Sequence, residues 1–110
     1  MVKAADQVKE TLKHYLAVLK GEGIAVQELI LYGSYAARTH SEDSDIDVAV
    51  ISPDFGKNFL LEGARLTRLA IDVDPDISPR AYSSAELAAA RPGDFLYDEV
   101  LTKGQVYRPA

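Results

Sequence analysis

At 110 residues the chain is read as one domain with room for a single core. Apolar residues make up 47% and charged residues 26%, ordinary for a globular protein, and the absence of cysteine excludes disulfides and thiolate metal sites. Seventeen acidic residues against 12 basic ones give a net charge of −5, which argues against a broad basic nucleic-acid surface. No apolar run approaches the ~20 residues of a membrane span. The N-terminus reads as an amphipathic helix with interspersed lysines, not as a leader, so a cytoplasmic protein is expected.

From residue 3 to about residue 20, apolar side chains at Ala5, Val8, Leu12, Tyr15, Leu16 and Leu19 form one stripe, with Lys3, Lys9, Glu10 and Lys13 on the wet side. Gly21 and Gly23 end this helix. Val26 to Tyr32 reads as a first strand and stops at Gly33-Ser34, followed by one or two helical turns through Tyr35 to Arg38. Asp45 to Ile51 is a second strand, closed by Ser52-Pro53-Asp54. Helical spacing returns from Phe59 to Val73, through Leu66, Leu69, Ala70 and Val73, and Asp74-Pro75-Asp76 breaks it. Ile77 to Tyr82 is a third strand, placed at an edge or bulge by Pro79. Ser83-Ser84-Ala85-Glu86 has capping-box form and opens a short helix to Ala90. A last helix spans about Asp94 to Lys103, and Val106-Tyr107 adds a short strand. The expected fold class is α+β, a small mixed sheet flanked by helices.

The chemistry concentrates between Leu29 and Ile51. A strand entering Gly-Ser and then a helix leaves backbone N–H groups unpartnered, and glycine lets an anion approach them. On the second strand Ile46, Val48 and Val50 face one way, while Asp45, Asp47 and Ala49 face the other. Two carboxylates two residues apart on one face repel unless a cation bridges them. Mg²⁺ is commonly held by one or two carboxylates together with substrate phosphates. Glu42 and Asp43 read as a solvated acidic run, His14 as a structural or surface residue, and Tyr32 and Tyr35 as packing residues. His40 has no second histidine at ligand spacing, which argues against zinc. Phe95, Tyr97, Val100 and Leu101 read as core or interface.

Gly33-Ser34, Ala37-Arg38 and Ser44-Asp45-Ile46-Asp47 followed by apolar residues resemble the signature of the DNA polymerase beta-like nucleotidyltransferase superfamily, and the small size resembles its minimal nucleotidyltransferase branch. The resemblance implies a polymerase beta palm-like fold over residues 1–110. It also implies a nucleoside triphosphate, ATP foremost, on Gly33 and Ser34, and Mg²⁺ on Asp45 and Asp47; Arg38 reads either as a residue that steadies a phosphate or as an exposed loop arginine. The implied reaction is attack of a hydroxyl on the α-phosphate, with release of pyrophosphate. A third catalytic carboxylate is expected on the strand after the long helix, where Ser78 stands; Asp76 shares its strand parity, and Asp72 or Asp74 are alternatives if the helix ends sooner. Minimal members pair with small helical HEPN proteins in toxin–antitoxin systems, where the nucleotidyltransferase is the antitoxin and transfers AMP to its partner. A binding module of the same fold that neutralises a partner without turnover is the second reading, and a homo-oligomer is left open.

Overall fold

The computed structural model describes residues 5–41 and 44–109; Lys3, Glu42 and Asp43, named above, lie outside them. Helix α1 (Ala5–Gly21) buries Val8, Leu12, Tyr15 and Leu19, the stripe that its spacing places on one side. Burying each such side chain contributes roughly 1.5–3 kcal/mol relative to exposure. The chain then forms β1 (Glu28–Tyr32), the single-turn helix α2 (Gly33–Ala37) and β2 (Ile46–Ser52). Helix α3 (Phe59–Ile71) leads to β3 (Ile77–Ser83), α4 (Ser84–Ala89), a π-helical segment (Leu96–Leu101) and β4 (Gln105–Tyr107).

The four strands lie in the order β3-β2-β1-β4. Strand β1 pairs antiparallel with β2 and β4, whereas β2 and β3 run parallel through the crossover helix α3. Pro79 sits on β3, an edge strand, as its missing N–H requires. On one face of the sheet, Leu29, Leu31, Ile46, Val48, Val50, Ile77 and Ala81 pack against Val8, Leu12, Leu66 and Ala70 of α1 and α3. The Tyr15 hydroxyl donates to the Leu66 carbonyl at 2.9 Å and ties the two helices together. On the opposite face, Ile30, Tyr32, Ala49 and Ile51 meet only a small cover, Leu96 and Val100 of the π-helical segment with Leu87 and Ala90.

Several boundaries differ from the sequence expectation, each for a local reason. Strand β1 starts at Glu28 rather than Val26, although Gln27 already donates to the Ile51 carbonyl at 2.7 Å. Helix α3 stops at Ile71 rather than Val73, because the N–H groups of Val73 and Asp74 both return to the Ala70 carbonyl and close the turn. Its start is set by features that apolar spacing does not report. Asn58 caps Leu61, and the Glu62 carboxylate accepts the N–H groups of Gly56, Lys57 and Asn58. The capping box at Ser83 and Glu86 forms with both bonds in place. The last helix is shorter than expected and π-wound, with Thr102 donating to the Tyr97 carbonyl at 3.0 Å. Gly104 ends it where a Cβ would meet the Val100 carbonyl and the Ile30 side chain.

Candidate functional site at the end of the central strands

Parity on β2 separates its side chains as the alternation predicts. Ile46, Val48 and Val50 enter the helix-covered core, leaving Asp47 and Ala49 on the other face. Asp47 lies in register between Tyr32 of β1 and Ser78 of β3. Asp45 stands exposed one residue before the strand begins. The two carboxylates feel one another. Burial, then the Asp45 charge, hold the Asp47 carboxyl above its usual range, and Arg80 pulls it partly back.

Gly33 sits at φ +73°, a conformation that glycine adopts without steric penalty. Its backbone lies directly on Asp47: a Cβ at Gly33 would fall on the carboxylate oxygen Oδ2 and within 3.2 Å of Cγ. The turn and the carboxylate are therefore one packed unit. Ser34 is half-buried, and its carbonyl accepts the Thr39 N–H at 2.9 Å. Arg38 ends α2 in the left-handed region at φ +60°. It borders a cavity of about 330 Å³ on the α1 side, lined also by Val8, Leu31, Tyr35, His40 and Tyr107. Tyr35 is buried there and stacks on His40 with ring centres 4.1 Å apart. The packing role expected for Tyr35 is what the structure shows, and Tyr32 is likewise buried.

The neighbouring strand supplies a serine where a third carboxylate would complete the group, because register places Ser78 beside Asp47. Asp76 precedes β3; its carbonyl accepts the Ile46 N–H at 2.8 Å and its own N–H donates to Asp74 Oδ1 at 2.9 Å. Asp72 is the exposed C-cap of α3. Among the described residues no three histidine, aspartate or glutamate side chains gather as a metal-binding group. The Asp45–Asp47 pair still fits a divalent cation that takes its remaining ligands from water and substrate phosphates, since such an ion would offset both the burial of Asp47 and the Asp45 charge beside it.

One residue of this face was not singled out from the sequence. Arg80 pairs in register with Ala49, one step along from Ser78 and Asp47, and its guanidinium lies 4.8 Å from the Phe95 ring centre. It is within electrostatic reach of the Tyr32 and Tyr82 hydroxyls, and burial pushes the Tyr32 phenol up to about 12. Phe95 in turn packs edge-on against Tyr32 at 5.8 Å. The signal available was strand parity, since Ser78, Arg80 and Tyr82 alternate with the core residues Ile77 and Ala81.

A mixed sheet covered by helices on one face, with a glycine turn packed against Asp47 at its open end, defines an α+β domain. Residues 7–103 match the nucleotidyltransferase domain family, and the chain belongs to that family. A protein of Methanocaldococcus jannaschii, provisionally named a protein adenylyltransferase, is 36% identical over 76 residues, which are 66% of this chain and 76% of that protein. Among solved structures, a toxin–antitoxin complex with AMP-PNP superposes with a TM-score of 0.59 at 26% identity, over 86% of this chain and 69% of that one. A provisionally assigned nucleotidyltransferase from Sulfolobus solfataricus superposes with a TM-score of 0.63 at 13% identity, over 97% and 88% of the two chains. That last likeness is one of fold. Among the described residues no helix is long and apolar enough to cross a membrane.

Proposed function

We propose that the chain transfers AMP from ATP to a hydroxyl group on a partner protein, in a Mg²⁺-dependent reaction, as the antitoxin of a HEPN-type toxin–antitoxin pair. The observation that carries this reading is the Gly33–Asp47 contact, which sets an anion-accepting turn against a paired carboxylate site. In this reading the turn at Gly33 and Ser34 holds the triphosphate through backbone N–H groups and the serine hydroxyl. Asp45 and Asp47 would hold Mg²⁺, which when bound supplies charge stabilisation to the phosphates. Asp76, two residues before Ser78, is the carboxylate assigned to the acceptor proton. The acceptor oxygen bonds to the α-phosphorus, the bond to the bridging oxygen breaks, and pyrophosphate leaves with its electron pair.

Support for AMP transfer to a protein comes from the name of the Methanocaldococcus relative, and support for a toxin partner from the complex with AMP-PNP. The surface is also suited to a protein partner. Phe59, Leu60 and Leu61 are 66%, 79% and 68% exposed on the first turn of α3, an apolar group of the kind that marks interaction sites. Incubating the chain with α-labelled ATP, Mg²⁺ and a HEPN-type partner protein should label the partner. Replacing both Asp45 and Asp47 with asparagine should abolish labelling. Absence of transfer from any of the four nucleoside triphosphates would overturn the proposal.

Ser78 beside Asp47 favours a second reading, a nucleotidyltransferase-fold binding module that neutralises its partner by complex formation alone. The same double asparagine variant separates the two. If it still binds and neutralises the partner as the native chain does, turnover is not the mechanism of neutralisation.

A further inference from the structure

Resting on the nucleotide reading above, we infer that Arg80 is a triphosphate-binding residue of this site. It supplies from β3 a fixed positive charge on the strand where Ser78 withholds a carboxylate.

The argument starts from register. Strand β3 runs parallel to β2, so Ser78 aligns with Asp47 and Arg80 with Ala49, all on the sheet face that α1 and α3 leave open. A carboxylate at position 78 would add a further negative charge beside Asp45 and Asp47. With serine there, the nearest charged group that β3 presents on this face is cationic. A triphosphate carries several negative charges and needs cationic groups to leave water, and two aspartates offer none of their own. Arginine suits the task because its planar fork can donate two parallel hydrogen bonds to phosphate oxygens.

The guanidinium is also held in place before any ligand arrives. Phe95 lies 4.8 Å from it and braces one side, and Phe95 is itself fixed edge-on against Tyr32. The Tyr32 and Tyr82 hydroxyls lie within electrostatic reach on the same face. These neighbours are neutral aromatic groups, so the positive charge is positioned without being consumed by them. Asp47, the carboxylate that acts on it, is the one assigned to the divalent ion. With Asp45 and Asp47 holding the divalent ion, the guanidinium would remain to take a phosphate oxygen. Arg80 is exposed and so open to such a ligand.

The test is equilibrium binding of ATP and of adenosine to the native chain and to Arg80→Gln, Arg80→Lys and Asp45→Asn/Asp47→Asn variants, by calorimetry, in Mg²⁺ and in EDTA. Thermal melts verify that each variant is folded. The expected result is that Arg80→Gln weakens ATP binding about tenfold or more, as loss of a charge-assisted contact implies. The loss should persist in EDTA, leave adenosine binding unchanged, and be partly restored in Arg80→Lys. ATP affinity in Arg80→Gln within twofold of native, in a chain that binds ATP, would overturn the inference and leave the nucleotide reading standing. A native chain that binds no ATP in Mg²⁺ would overturn both.

Discussion

Gly33→Ala probes whether the turn and the aspartate form one unit, and its two costs can be worked out separately. The first is local. An L-residue at φ +73° costs roughly 1–2 kcal/mol of backbone strain. The second is spatial, because the added methyl would occupy the place of Asp47 Oδ2 and force that carboxylate aside. For a chain of 110 residues, the unfolding entropy is roughly 0.23 kcal/mol per kelvin, so the strain alone lowers the melting temperature by about 4–9 °C. Gly63→Ala is the internal control. It lies within α3, with nothing within 4 Å of an added Cβ. Alanine there should stabilise by about 0.5–1 kcal/mol, or about 2–4 °C. Thermal melts of both variants, followed by ATP titration of the folded proteins, complete the assay. Gly33→Ala should lose Mg²⁺-dependent nucleotide binding even well below its melting point, while Gly63→Ala keeps it. A Gly33→Ala protein that melts within a degree of native and binds ATP normally would refute the claim that the turn is built against Asp47.

The remaining expectations follow from the same geometry. Asp47→Asn should raise the melting temperature in metal-free buffer, because it removes a carboxylate that burial and Asp45 disfavour in the ionised form. A drop in melting temperature would contradict the reading of Asp47 as a strained functional group. The sign with pH is fixed by the same shift. A raised folded pKa means that the native state holds this proton more tightly, so the contribution is full in acid and is lost as pH rises from the ordinary carboxylate range through the raised value. Metal-dependent nucleotide binding should strengthen over that same window, so opposed trends in metal-free melts and in Mg²⁺-ATP titrations are expected, and Asp47→Asn should flatten both. Tyr15→Phe should cost about 0.5–1.5 kcal/mol by removing the hydroxyl that joins α1 to the Leu66 carbonyl, read from denaturant midpoints. Glu62→Gln should speed amide exchange at Gly56, Lys57 and Asn58, whose N–H groups its carboxylate holds and thereby keeps below the usual carboxylate pKa; unchanged exchange would show that the turn forms without that charge.

Much of this architecture was legible in the sequence because binary pattern and turn chemistry agreed. The stripe on α1, the alternation in β2 and the edge placement of β3 each follow from periodicity or from a single proline. The start of α3 at Phe59 agrees with the sequence reading, but the exposure of Phe59, Leu60 and Leu61 at its first turn does not follow from apolar spacing. The bonds that set that turn come from Asn58 and Glu62, polar side chains whose role depends on backbone geometry rather than on spacing. The π-wound segment was hidden for a similar reason. Leu96 and Val100 enter the core while Phe95, Tyr97 and Leu101 stay exposed, and the close approach at Gly104 is a tertiary contact.

The site was legible only where its parts are close along the chain. Gly33, Ser34, Asp45 and Asp47 fall within 15 consecutive residues of a recognisable pattern, 33 to 47. Which residue faces Asp47 from the next strand depends on the β2–β3 register, and register in a parallel pair joined by a helical crossover is decided by packing, not by a turn. Once Asp47 aligns with Ser78, parity puts Arg80 on the same face, and Tyr32 and Phe95 arrive from β1 and from the chain before the π-helical segment to surround it. Three segments far apart in sequence thus determine the charge beside the aspartates. That charge is positive on β3, and it ties nucleotide affinity in this chain to a residue that the glycine–serine and paired-aspartate pattern does not contain.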